Sequence, residues 1–467
     1  MDIETQQRNE PLHFQVGSVE EFNQVPAAVY PQETLRGDDG VVSIAGVALT
    51  EIAEQYGTAA FVINENDFRA RCRAMAEAFG GAERVHYASK ALLTREIAQW
   101  IDEEGLAMDV ASLGEMQLAL AANFPAERLT VHGNNKTEEF LTEAVKAGVE
   151  LIVLDSTEEI ARLSQVTQDL DRTQDVLVRV TPGVHVDTHE FIATSHEDQK
   201  FGFSLASGVA VGAVRDAVSA PGLRLRGLHC HVGSQVFDAA GFVLAAERLL
   251  EFWSTLLREL PDADTEFLDT LDLGGGYGIA YTADQEPLDV ASIAKDLTSK
   301  VAAAANQADV PFPVLNVEPG RAIAGPAMVT IYRVGTVKNV LVNDRFSRRY
   351  ISVDGGMSDN LRPALYAAEY DFRIANRTLD GQMVPTRVVG AHCESGDILI
   401  NDAQAPNDLR TGDLMMFGAT GAYCYSMAGR YNMMMRPPIV VVKDGEHRLM
   451  VRRETLDDVL RLDMLGT

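Results

Sequence analysis

The chain has 467 residues, 46% hydrophobic and 23% charged, with a formal net charge of −28 at pH 7. That size suits one large barrel plus a second domain, and that composition buries a sizeable core and excludes a disordered chain. So acidic a surface argues against nucleic acid and anionic membrane as partners, and no run of about 18 apolar residues is available to span a bilayer.

The four cysteines, Cys72, Cys230, Cys393 and Cys424, form no CxxC pair. Free thiols in a reducing, cytoplasmic setting are expected. Met1 to Glu21 is polar and acidic, without the apolar core of a signal peptide or an Arg-rich transit pattern. The expectation is a mobile tail over 1–26, then a segment at 27–59 (Val41–Ile44, Val47–Leu49) that adds to a later β-domain.

From about residue 60, short apolar runs alternate with amphipathic stretches. The strand-like runs are Phe61–Ile63, Val85–Ala88, Ala107–Val110, Leu129–His132, Leu151–Leu154, Val176–Val180, Leu223–His229, Thr270–Leu273 and Val314–Val317. Helical spacing lies between them, as in Leu113–Ala122 and Phe242–Leu257. Repeated β-then-α reads as a parallel sheet. With Phe61–Ile63 as a lead-in, eight βα units over about 250 residues predict a TIM-type (β/α)8 barrel at 60–320; a doubly wound open sheet is the alternative. After Gly320, Val329–Val342, Arg349–Val353, Thr386–Val389, Asp397–Leu399, Leu414–Phe417 and Ile439–Val442 predict a C-terminal all-β domain at 321–467. The long polar stretch from His185 to Lys200 reads as a loop able to cover a substrate.

Barrel enzymes carry chemistry at the C-terminal ends of their strands. Here those ends hold Lys90, Asp109, His132, Asp155, His229 to Ser234, Asp272 to Gly276, and Glu318 to Arg321. Taken alone, a strand-end lysine such as Lys90 is a side chain reaching for solvent. Partly desolvated, it is an amine nucleophile toward an aldehyde. Gly274, Gly275 and Gly276 allow a tight turn, or a close approach of backbone N–H groups to a phosphate; the spacing is not GxGxxG, which disfavours a dinucleotide site. His229 and His231 alternate on one strand, and three readings stay open: one core and one exposed histidine, a metal pair, or an imidazole stacked on an aromatic cofactor. No carboxylate or cysteine spacing supports zinc, so no metal site is expected. Cys393 lies in the β-domain, where a cysteine is more often packing than chemistry. Asn360 to Pro363 reads as a turn carrying one fixed cation, Arg362. Tyr423 follows a run of small residues that lets it lie over a ligand.

The ordered motifs Tyr87-Ala88-Ser89-Lys90-Ala91, Leu113-Gly114-Glu115, His229-Cys230-His231-Val232-Gly233-Ser234-Gln235, Leu273-Gly274-Gly275-Gly276, Glu318-Pro319-Gly320-Arg321, Asp354-Gly355-Gly356-Met357 and His392-Cys393-Glu394-Ser395-Gly396-Asp397 run through most of the chain. In them the sequence resembles the pyridoxal-phosphate (PLP) decarboxylases of the alanine-racemase-like fold, most closely the branch acting on diaminopimelate. The resemblance implies a PLP enzyme that converts meso-2,6-diaminopimelate to L-lysine and carbon dioxide, the last step of lysine biosynthesis. It makes Lys90 the lysine that holds the cofactor and His231 the residue stacked on its ring. Asp109, Ser234, Gly274, Gly275, Gly276, Gly320, Arg321 and Tyr423 become cofactor contacts. Glu318 is expected beside the pyridine nitrogen, where a carboxylate keeps that nitrogen protonated. An arginine there marks the racemases of this fold, so Glu318 favours decarboxylation. Arg321, Arg362, Tyr366 and Tyr423 are implied substrate contacts, the first three on a distal carboxylate. Glu394 is implied to meet the distal ammonium, and Cys393 to protonate the substrate carbon. Cys393 and Glu394 are implied to arrive from a second subunit, hence a homodimer with shared sites. The alternatives are a related decarboxylase acting on ornithine, arginine, lysine or carboxynorspermidine, an amino-acid racemase, and a cofactor-free regulatory homologue.

Overall fold

The computed structural model describes residues 17–183, 200–261, 265–343 and 346–465. The chain opens on a short helix, Val19–Asn23, capped by Ser18 and anchored by a buried Phe22. The expected 1–26 tail is therefore too long: Val19–Asn23 is helix, and residues 1–16 lie outside the described residues. An apolar ring set among polar residues is enough to fix the helix to the body of the protein. Strands β1 (Thr34–Arg36), β2 (Val42–Ile44) and β3 (Val47–Ala48) form a small antiparallel sheet of their own. It does not extend a larger sheet, as 27–59 was expected to do; it abuts the β-domain through Val42 N–H donating to the Ala375 carbonyl at 2.7 Å.

Strand β4 (Ala60–Asn64) is buried along its whole length. Then follow β5 (His86–Ala88), β6 (Ala107–Val110), β7 (Leu129–Val131), β8 (Leu151–Leu154), β9 (Gln174–Thr181), β10 (Phe203–Ser204), β11 (Leu223–His229), β12 (Thr270–Asp272) and β13 (Val314–Asn316). Apart from the short β10, which lies beside β9, they run parallel in the order β5-β6-β7-β8-β9-β11-β12-β13. The circle closes where Val85 bridges Val317 and His86 N–H donates to the Val317 carbonyl at 2.8 Å. This is the expected (β/α)8 barrel. Its strands are apolar on both faces because the barrel interior lies on one side and the helices on the other. Thr94, Ser112, Thr137 and Ser156 cap four of those helices, each side chain accepting a backbone N–H of the first turn. Most of the His185 to Lys200 stretch lies outside the described residues. No helix among the described residues is long and apolar enough to cross a membrane.

The second domain holds β14 (Met328–Asn343), β15 (Phe346–Val353), β16 (Phe372–Ile374), β17 (Met383–Val389), β18 (Ile398–Pro406), β19 (Leu414–Phe417), β20 (Ile439–Lys443) and β21 (Glu446–Val451). The order is β18-β17-β15-β14-β4-β20-β21, with β19 joining β14 to β16. Strand β4 thus sits between β14 and β20 in the second sheet, not at the start of the barrel where a boundary at residue 60 put it. The β-domain is therefore assembled from both sides of the barrel in sequence. That ties the barrel's first helix and its last loop to one sheet.

Packing between β11 and β12 leaves no room for a side chain at one point. A Cβ on Gly227 would lie 1.7 Å from the Thr270 carbonyl oxygen, and the two residues are register partners. Gly227→Ala must push these strands apart. We expect it to cost roughly 3 kcal/mol of stability, seen as a lowered unfolding temperature or as loss of soluble protein.

Candidate active site

The barrel's strand ends open on a cavity of about 650 Å³, whose wall includes Lys90, His231, Ser234, Gly275, Gly276, Glu318, Gly320, Arg321, Arg362, Tyr366 and Tyr423. Lys90 sits on the single turn Ser89–Ala91 that ends β5, and its side chain is exposed into this space. His231 and Ser234 follow β11, the glycines follow β12, and Glu318 to Arg321 follow β13. The glycines let these loops meet: a Cβ on Gly275 would lie 2.2 Å from the Glu318 carbonyl oxygen, and one on Gly276 2.3 Å from that of Gly233. Arg362 and Tyr366 come from the second domain, on the short helix Arg362–Tyr366. Tyr423 N–H donates to the Ala91 carbonyl at 2.9 Å, which brings the loop after β19 down beside Lys90.

Glu318 is buried on the cavity floor. Its Oε1 accepts from His229 Nε2 at 2.9 Å, and His132 Nε2 lies 3.4 Å away. Burial by itself would raise this carboxyl, but His132 and His229 outweigh burial and hold it well below the usual carboxylate range. Burial, against the pull of Glu318, lowers His229 to about 4. The donor is accordingly a neutral imidazole carrying its proton on Nε2, and its buried Nδ1 has no partner among the described residues. Asp272 moves the other way from Glu318: burial first, then the nearby Glu318 charge, raise its carboxyl. The floor therefore concentrates negative charge on Glu318. His231 is lowered by burial and then by Lys90, and its Nδ1 accepts the Gly275 N–H at 3.2 Å, so its ring is neutral.

Two buried guanidiniums face the same cavity. Arg321 donates from Nη2 to Ser234 Oγ at 2.8 Å and from Nη1 to the Tyr281 hydroxyl. Arg362 donates from Nη1 to the Tyr370 hydroxyl at 2.6 Å. Among the described residues neither has a carboxylate within ion-pair distance; their side-chain partners are hydroxyls. A buried cation lacking an anion is costly, so both fit an anionic ligand.

Not every expected contact lines the cavity. Asp109 lies behind the floor, its Oδ1 3.3 Å from His132 Nε2 and 3.6 Å from His86 Nδ1. Gly274 is turned away, its N–H donating to Asp272 Oδ1 at 2.8 Å. Cys393 and Glu394 stand on the exposed loop between β17 and β18, outside this cavity. There Cys393 N–H donates to Asn432 Oδ1 at 2.9 Å, and Glu394 Oε2 accepts from the Tyr431 hydroxyl at 3.3 Å. Sequence reasoning assigned no site role to His132, His229, Tyr281 or Tyr370. The histidines and Tyr281 had a usable signal in their strand-end or glycine-loop positions; Tyr370 had none.

The donor set suits PLP. An amine is available for its aldehyde, a carboxylate for its ring nitrogen, and a neutral imidazole for its face. A hydroxyl and glycine N–H groups are available for its phosphate.

Comparison with known proteins agrees. Residues 65–325 match the family model described as "Pyridoxal-dependent decarboxylase, pyridoxal binding domain". The chain is similar to the diaminopimelate decarboxylase of Corynebacterium efficiens, 58% identical over 447 residues, covering 96% of each chain. It is also similar to that of Mycobacterium leprae, 54% identical over 436 residues, covering 93% of this chain and 92% of the relative. Among solved structures, diaminopimelate decarboxylase from M. jannaschii in co-complex with L-lysine superposes with a TM-score of 0.84 at 28% identity. That match covers 93% of this chain and 98% of the other. By sequence, by fold and by the chemistry of its cavity, the chain belongs to the pyridoxal-dependent decarboxylases, enzymes that use PLP.

Proposed function

We propose that this enzyme removes carbon dioxide from meso-2,6-diaminopimelate and releases L-lysine. The observation that carries the substrate is Arg362, a buried guanidinium on the cavity wall with no carboxylate partner among the described residues. A diamine-forming enzyme has no use for such a cation; a substrate with a distal carboxylate does. The high identity to diaminopimelate decarboxylases supports the same choice, as does the solved relative that holds L-lysine.

Bound PLP supplies the electron sink that lets an α-carboxylate leave as carbon dioxide. The chain's own groups do the rest. Lys90 offers the amine that anchors the cofactor. Glu318 holds a negative charge, kept on it by His132 and His229, against which a proton on the ring nitrogen is stable. His231 presents a flat neutral ring, and Ser234 with the backbone at Gly275, Gly276 and Gly320 to Arg321 suits a phosphate. Asp109 acts from behind, through His132. Arg321 and Arg362, with Tyr366, take the distal carboxylate in charge-assisted contacts that are costly to leave half-filled.

The remaining roles fall to a second copy of the chain. Cys393 and Glu394 stand exposed and apart from this chain's own cavity, as residues that complete a neighbour's site would. In that site the Cys393 thiol gives a proton to the substrate carbon left with an electron pair when carbon dioxide departs. Glu394 meets the distal ammonium. The homodimer works in a reducing cytoplasm, which its four unpaired cysteines suit.

Two measurements test this. Wild-type protein with PLP should prefer diaminopimelate over lysine by about a thousandfold or more in kcat/KM. Arg362→Met should lower kcat/KM on diaminopimelate roughly 30-fold or more, equivalent to about 2 kcal/mol, and leave lysine poor. A wild type that prefers lysine or ornithine refutes the substrate. For the dimer, Lys90→Ala and Cys393→Ala proteins should each be inactive alone and recover part of the activity when mixed under conditions of subunit exchange. No recovery despite proven exchange would place both residues of one site on the same chain.

A further inference from the structure

Cys393 and Glu394 stand on an exposed loop, yet that loop is fixed from two sides. Beneath it, Asp397 is buried and engaged on both carboxylate oxygens. Oδ2 accepts from the His392 N–H at 2.9 Å and from His392 Nδ1 at 2.8 Å, and Oδ1 accepts from the Met357 N–H at 2.7 Å. The Ala391 N–H donates to the Gly355 carbonyl at 2.8 Å. The loop is thereby pinned at both ends to the turn that follows β15.

A second segment, 429–434, lies beside the loop and is tied to the same turn. Its Gly429 N–H donates to the Ser358 carbonyl at 2.8 Å, and its Met433 N–H closes on the Arg430 carbonyl at 2.9 Å. Two neighbouring side chains of this segment reach the first loop. The Tyr431 hydroxyl donates to Glu394 Oε2 at 3.3 Å, and its ring stacks on that of His392, centroids 5.8 Å apart and planes 5° from parallel. Asn432 Oδ1 accepts the Cys393 N–H at 2.9 Å. Asn432 has φ 52° and ψ 24°, left-handed backbone that asparagine adopts more readily than most residues. Neither contact serves the core, because both side chains are exposed, Tyr431 by 46%. Exposed hydrogen bonds add little stability. What they do is hold an exposed loop in one geometry, so that less entropy is lost when its groups enter a site.

We infer that Tyr431 and Asn432 are positioning residues, Tyr431 for the Glu394 carboxylate and Asn432 for the Cys393 backbone, and that together they present both groups ready-set to the second copy of the chain. This rests on the roles proposed above for Cys393 and Glu394. The two contacts are separable by substitution. Glu394 meets the substrate before and during reaction, so loosening it acts on KM. The thiol gives its proton only in the chemical step, so loosening it acts on kcat.

The experiment uses full-length holoenzyme and measures kcat and KM on diaminopimelate, with the oligomeric state and unfolding temperature of every variant. Tyr431→Phe keeps the ring over His392 and loses the hydroxyl. Its KM should rise roughly fivefold or more, with kcat within about twofold of wild type. Asn432→Gly keeps the left-handed backbone and loses the acceptor. Its kcat should fall roughly fivefold or more, with KM within about twofold of wild type. Asn432→Asp keeps an acceptor at that point and should hold most of kcat. An unmoved KM in Tyr431→Phe or an unmoved kcat in Asn432→Gly overturns the proposal. So does a joint loss of both constants in the two variants together with a lowered unfolding temperature or a dissociated dimer, the mark of a merely structural segment. Cys393→Ala and Glu394→Gln tell the two levels apart. Full kcat in Cys393→Ala, or an unmoved KM in Glu394→Gln, would defeat the roles given to those groups. Loss in these two beside wild-type constants in Tyr431→Phe and Asn432→Gly overturns the positioning alone.

Discussion

The site depends on one buried negative charge. Glu318 lies on the floor of the barrel mouth, where an isolated carboxylate would be expected to take up a proton. It stays ionised because a neutral His229 donates to it at 2.9 Å and His132 lies at 3.4 Å. Asp272, just beneath, is pushed toward its protonated form by burial and by Glu318 itself. A family member that must drain electrons from a substrate carbon needs its cofactor's ring nitrogen charged. A carboxylate with this environment is suited to keep it so.

Much of the architecture follows from supporting that charge. The histidines come from β11 and the end of β7, Asp272 from β12 and Glu318 from just beyond β13, so a closed parallel barrel is needed to bring four strand ends over one floor. Asp109 on β6 extends the network through His132 to His86. Above the floor two guanidiniums, Arg321 and Arg362, are placed to meet anions. The second domain supplies Arg362, and β4, buried in its sheet, leads directly into the barrel's first helix. The buried carboxylate therefore belongs to the barrel, and the second domain adds Arg362 to the cavity at the junction between domains.

The barrel was legible because strands buried on both faces read as short apolar runs, and Ala107–Val110, Leu151–Leu154 and Leu223–His229 coincide with their predicted spans. The same property misplaced β4. A run such as Ala60–Asn64, buried throughout, carries no alternation to say which sheet it joins, and only its partners β14 and β20 decide. Phe22 escaped notice because one aromatic residue in a polar stretch has no periodicity. At the site, Lys90, His231, Ser234, Glu318 and Arg321 were legible as strand-end residues, and Arg362 as the fixed cation of the Asn360 to Pro363 turn. Tyr281 was not assigned because its arginine partners are 40 or more residues away, and Tyr370, eight residues from Arg362, because no periodicity marks that contact. Asp109 was expected at the ring and lies behind it because its strand position points into the barrel, where His132 stands between it and the cavity.

The most direct test of this account is the protonation of the cofactor's ring nitrogen. Protein loaded with ¹⁵N-labelled PLP should show the nitrogen shift of a protonated pyridine at neutral pH, and the same sample with Glu318→Gln should show that of an unprotonated one. A neutral ring nitrogen in the wild type, or a protonated one that survives Glu318→Gln, would contradict the claim that the Glu318 charge governs the site.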